Sequence, residues 1–174
     1  MGANMLLTLG GIVLLSTFVL YANGLLSDNT KISGDNEYAI TAISLAQSVI
    51  DEAKTKSFDE NAIAGSVTQA SDLTAAQLLG RDGGGEAVAA VDTARDSQCA
   101  SYSRFDDVDD YNGYVRLVNT PRAEGYRIST TVSYASATFP DSVKSSQTFC
   151  KRMTVTVTSP FFAQPIQLMY AFTY

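Results

Sequence analysis

The chain has 174 residues, with 12 basic and 18 acidic side chains and neither His nor Trp. A net charge of −6 is a poor footprint for phosphate, so nucleic acid is not an expected partner. The lack of His removes the commonest general base and the commonest zinc ligand together, and an enzyme is not expected.

Every charged side chain follows position 27. The run ANMLLTLGGIVLLSTFVLYANGLLS (3–27) is long enough to span a bilayer as a helix. It lacks the basic n-region and the small-residue cleavage site of a secretory signal. Two features exceed what a plain membrane anchor needs. Gly10, Gly11 and Gly24 weaken a helix unless another helix approaches closely. Asn4, Thr8, Ser16, Thr17 and Asn23 need partners on neighbouring helices or on their own backbone. The segment therefore reads as a self-association element, its contacts carried by Leu6, Leu7, Gly10, Gly11, Val13, Leu14, Leu15, Phe18, Val19 and Gly24.

LSDNTKISGDNEY (26–38) is polar and contains Gly34, and reads as a bend, an unwound linker or a continuation of one rod. Beyond it, Ala39, Ile40, Ala42, Ile43, Ala46, Val49, Ile50 and Ala53 recur at three- and four-residue steps. That spacing predicts an amphipathic helix with one buried face.

Residues 59–98 are rich in small and polar types. SDLTAAQLL (71–79) predicts a short helix capped by Ser71 or Asp72, and GRDGGGE (80–86) a flexible turn. The glycines do not make a phosphate loop, since the Gly-Lys-Ser/Thr ending is missing. From Tyr114 the period changes to two. YVRLVN (114–119), YRISTTVSYAS (126–136), QTFCKRMTVTVTS (147–159) and IQLMYAFTY (166–174) predict antiparallel strands. Phe161, Phe162, Tyr170, Phe172 and Tyr174 are expected in the sheet core and at a subunit interface.

The predicted class is α+β, a long N-terminal helix packed on a C-terminal antiparallel sheet of about four strands. Three segments follow from these patterns. They are an apolar helix (1–27), a linker with the amphipathic helix (28–58), and a β-rich head (59–174).

Two chemical features stand out in the head. Cys99 and Cys150 form no CxxC motif, and in an exported head they are expected to pair, two buried free thiols being the alternative. FDDVDDYNGY (105–114) gathers Asp106, Asp107, Asp109, Asp110 and Asn112, hard oxygens dense enough for calcium. The spacing is not that of an EF-hand loop. The alternative is an acidic turn with Asn112-Gly113 at the bend. No other cofactor is expected.

An apolar N-terminal helix, an amphipathic extension and a strand meander together resemble type IV pilins and pseudopilins. AISLAQSVIDEAKTKSFDE (42–60) and FDDVDDYNGY (105–114) resemble segments of bacterial prepilin-type proteins. The resemblance implies a structural subunit that polymerises with copies of itself into an extracellular surface filament. It further implies processing by a prepilin peptidase, residence in the inner membrane before assembly, and handling by pilus or secretion machinery. A calcium site in the head, as in some pseudopilins, is also implied. Pilins usually carry Glu at the fifth mature position; counted from Met1 that position holds Met5, and the first acid is Asp28. The departure points to a divergent filament or a minor pseudopilin of a type II secretion-like system, with a membrane-anchored surface adhesin as the third reading.

Overall fold

The structure is a computed structural model that describes residues 2–65, 67–94 and 98–174. Its chain divides into two units, 1–38 and 39–174. The fold class is α+β, with five strands where the pattern had indicated four.

Helix α1 runs Gly2–Ala53. Gly24 and Gly34 both lie within it, so no unwound linker interrupts the helix. Residues 28–38 are polar but contain no proline, and polarity dictates solvent exposure rather than a helix stop. Two of the hydroxyls in the apolar run satisfy themselves locally. Thr8 Oγ1 donates to Met5 O and Thr17 Oγ1 to Leu14 O, each at 2.9 Å.

From Ala39 the helix packs against the sheet. Ala42, Ala46, Val49, Ile50 and Ala53 form its buried stripe at the predicted helical spacing. Three of the five are alanines, so the helix can lie close to its neighbours.

The sheet order is β1-β2-β3-β4-β5, with β1 (Asp92–Thr93) parallel to β2 (Val115–Val118). The remaining pairs, through β3 (Tyr126–Tyr134), β4 (Cys150–Ser159) and β5 (Phe162–Thr173), are antiparallel. Tyr126, Ile128, Thr130, Val132 and Tyr134 of β3 alternate inward, as do Lys151, Met153, Val155 and Val157 of β4. Burial fades on β5. Of the C-terminal aromatics none is fully buried, which corrects their placement in the core. Tyr170 and Phe172 instead meet edge-on at 4.9 Å, and Phe149 stacks on Tyr174 at 5.7 Å.

The expected helix at 71–79 is also absent. A 3-10 turn covers Ala70–Asp72, and α2 (Glu60–Ala64) lies earlier in the chain. The Thr74 N–H and hydroxyl are taken by the Asp59 carboxylate at 3.0–3.1 Å, which holds the backbone out of helical geometry.

One polar network ties helix to sheet. Glu52 on α1 accepts from Arg116 Nη2 at 2.6 Å, from Ser101 Oγ at 2.7 Å and from Tyr111 OH at 2.9 Å. Tyr114 OH donates to Asp92 at 2.7 Å and accepts from Arg116 Nε at 2.9 Å, bringing β1 and β2 together. Ser101 opens α3 (Ser101–Arg104), and its N–H, with that of Ala100 just before it, donates to Asp92. Both charges of the Arg116–Glu52 pair are more than nine-tenths buried. Arg116→Ala would strand Glu52 and should cost about 3–5 kcal/mol. Denaturant melts of the wild-type and variant chains in detergent check this.

Candidate functional site

Three places carry chemistry or contact surface: the apolar part of α1, the acidic turn, and a buried lysine that the sequence reading had passed over.

In the first unit, Leu7, Val13, Leu14, Leu15, Phe18 and Val19 are all exposed. A Cβ added at Gly10, Gly11 or Gly24 would meet nothing within 4 Å. The Leu6 side chain lies outside the described residues. The helix is long and apolar enough to cross a membrane by length and composition.

The two cysteines are free thiols, which corrects the expected disulfide. Cys99 lies beside Arg116, whose register partner is Ile128, which in turn pairs with Val157 on β4. Cys150 is at the other end of β4. Seven strand residues separate those ends, about 23 Å, whereas a bridge needs Cα atoms about 4–7 Å apart. Burial pushes both thiols up from their ordinary pKa.

The acidic turn does not converge its oxygens on one point. Asp107 Oδ1 accepts from the N–H groups of Asp109 and Asp110 at 2.6 and 3.2 Å. Asp110 Oδ2 accepts from Asp106 N at 3.1 Å. Asn112 donates to Leu79 O and accepts from Val132 N. Gly113, at φ +73°, completes the bend. The turn is also tied to the chain after α1, where Ser57 N donates to Asp106 O and Val108 N to Ser57 O.

Of the five oxygen donors proposed for calcium, only Asp106 joins a compact acidic group among the described residues. Its carboxylate lies within 4.8 Å of those of Glu60 and Glu86. Those three could hold a hard cation. Glu60 and Glu86 come from α2 and the glycine-rich turn, and nothing local in sequence links them to Asp106.

Asp109 points elsewhere, to Lys151. This ammonium is wholly buried at an inward position of β4. It donates to Asp59 Oδ2 at 2.7 Å, to Phe58 O at 2.8 Å, and to Asp109 Oδ1. The Phe58 and Tyr134 rings lie 4.7 and 5.4 Å from it. The strand period could have revealed it, since Lys151 shares parity with Met153, Val155 and Val157. A cation at a core-facing position requires a buried acid.

The two acids differ. Asp59 also accepts from Asn61 N, Thr74 N, Thr74 Oγ1 and Tyr134 OH. Burial pushes its carboxyl up, but the Lys151 and Thr74 hydrogen bonds outweigh that and hold it below the usual range. Asp109 Oδ2 is buried with no hydrogen-bond partner among the described residues. Burial raises Asp109 to about 6 in spite of Lys151.

No family model, curated protein or solved structure matches the chain.

Burial, reinforced by neighbouring carboxylates, also raises Asp107 to about 8 and Asp110 to about 7. Between pH 4 and these values the folded head binds more protons than the unfolded chain, so stability falls as pH rises. Asp59 acts oppositely, its contribution being lost as pH drops below the ordinary carboxylate range. With chelator present, the head should melt higher at pH 5 than at pH 8, by on the order of 5 °C. Calorimetry checks the sign. Adding calcium at pH 8 then tests Glu60, Glu86 and Asp106: binding there raises the melting temperature, and no change leaves the acids a structural role.

Proposed function

We propose that this chain is the structural subunit of a type IV pilin-like extracellular filament, polymerising through the apolar half of α1. The observation that carries the reading is an apolar helix surface exposed from Leu7 to Ile32, joined in sequence to a unit that builds its own core from residue 39 onward. Exposed Leu, Val and Phe side chains demand cover. Each large one buried against another copy or in lipid contributes about 1.5–3 kcal/mol. Copies of the same helix supply matching surface, and Gly10 and Gly11 let backbones approach. Before assembly the inner membrane would cover the segment, and a prepilin peptidase and assembly machinery would handle it. A minor pseudopilin would use the same fold at a filament tip. Calcium, if a cofactor, would sit at Glu60, Glu86 and Asp106, and the chain's role is structural rather than catalytic.

The second reading is a single-span anchor for a surface adhesin, favoured by a helix long and apolar enough to cross a membrane. Sedimentation and negative-stain imaging separate the two. The full chain should form filaments on detergent removal, and the chain lacking residues 1–38 should stay monomeric and folded. Gly11→Leu should impair assembly while leaving the head's melt unchanged, since its bulk is added only where copies meet. Filaments from the truncated chain would assign assembly to the heads. Monomers in vesicles, with no filament from the full chain, would favour the anchor.

A further inference from the structure

We propose that Lys151 and Asp109 condense spontaneously into an intramolecular amide, with Asp59 as the proton carrier, so that β4 is covalently latched to the acidic turn. The placement meets the requirements of that chemistry one by one.

The reacting groups already touch. Lys151 Nζ contacts Asp109 Oδ1, so the amine and the carboxyl group are held side by side within one fold. Such positioning replaces a bimolecular encounter with an internal one. The surroundings oppose the ion pair and favour a neutral product. Lys151 is wholly buried, Asp109 nearly so, and the Phe58 and Tyr134 rings flank the nitrogen. An amide removes two buried charges whose desolvation is costly.

The two carboxylates are differentiated for separate roles. Asp59 is fixed by hydrogen bonds from Thr74, Asn61 and Tyr134, which stabilise it as an anion and leave it a poor electrophile. It faces the same ammonium at 2.7 Å. Asp109 has one oxygen on Lys151 and the other without a hydrogen-bond partner among the described residues, so its carboxyl is the less stabilised and the easier to neutralise.

The step balances without a co-reactant. Lys151 passes one proton to the Asp109 carboxylate, leaving a neutral amine and a neutral acid. The nitrogen lone pair attacks Cγ of Asp109 while Asp59 takes a second proton from nitrogen. The tetrahedral centre collapses to a C=O, and Asp59 returns that proton to the departing hydroxyl, which leaves as water. One C–N bond forms and one C–O bond breaks. An ammonium and a carboxylate have become an amide and a water, with no change of oxidation state.

The latch would join β4 to a turn 42 residues earlier in the chain. A covalent tie there suits a head that must keep its loop-rich segments seated on the sheet.

The test is tandem mass spectrometry of proteolytic peptides from the full chain, purified in detergent. The expected result is a branched peptide joining the segments that carry Lys151 and Asp109, lighter by one water than the two linear peptides, with no tryptic cut after Lys151. Lys151→Arg and Asp109→Ala should each abolish it. Asp59→Asn, which keeps the volume but loses the base, should slow its formation about a hundredfold. Recovery of Lys151 and Asp109 only in separate linear peptides from the wild-type chain would overturn the proposal, whatever the variants do. A cross-link formed as fast in Asp59→Asn as in wild type would remove Asp59 from the chemistry.

Discussion

The side chain of Lys151 has no access to water, and it ties together the segments packed around it. Lys151 reaches back to Phe58 and Asp59, where the chain leaves α1, and across to Asp109 in the acidic turn. Tyr134 of β3 closes the site, its single O–H shared between Thr74 O at 2.6 Å and Asp59 Oδ2 at 3.2 Å. Removing either acid would leave a buried charge short of a partner, at a cost of several kcal/mol. The centre therefore seats three irregular stretches on a regular sheet: the exit from α1, the loop at Leu73–Thr74 and the acidic turn. A second polar centre at Glu52 and Arg116 binds β1, β2 and α3 to the same helix. Between the two, the Phe105, Tyr111 and Tyr114 rings pack edge to face at 4.9–5.9 Å.

This arrangement bears on the proposed function. A filament subunit needs a head whose fold does not depend on its assembly helix, because the helix must exchange membrane for neighbours. The unit from Ala39 onward has its own apolar stripe, sheet and polar centres. The first unit is the converse, with apolar side chains that its own chain leaves uncovered. Its hydroxyls at Thr8 and Thr17 are already satisfied on the backbone, so the surface offered to a partner is mainly apolar with small-residue gaps.

Much of the fold was legible in the sequence because it rests on period. The helical stripe from Ala42 to Ala53 and the alternation of MTVTVT at 153–158 each mark a buried face, and the structure buries those faces. The failures share a physical cause, which is that local chemistry does not reveal distant partners. Gly34 left an unwound linker open, yet a glycine penalty of about 1 kcal/mol is small against continuous backbone hydrogen bonding. Residues 71–79 look helical until Asp59 captures Thr74. Two cysteines in a head suggest a pair by elimination, but counting residues carries no distance, and β4 holds them apart. The acidic turn advertised oxygens for a cation, while the cation that Asp109 meets is a lysine 42 residues later. Lys151 itself was readable from strand parity, as a charge on the core-facing side of an otherwise apolar row. Glu60 and Glu86 were not, since only the fold brings them to Asp106.

Lys151 is the pin that seats the irregular segments on the sheet. Hydrogen–deuterium exchange of the Lys151→Met chain, compared with wild type in detergent, tests this most directly. Amides of residues 57–60, 72–74 and 105–113 should lose protection, while those of Ile128–Val132 and Met153–Val157 keep theirs, because the apolar rows of β3 and β4 remain intact. Unchanged protection in the acidic turn, or a loss spread evenly over the whole sheet, would contradict it.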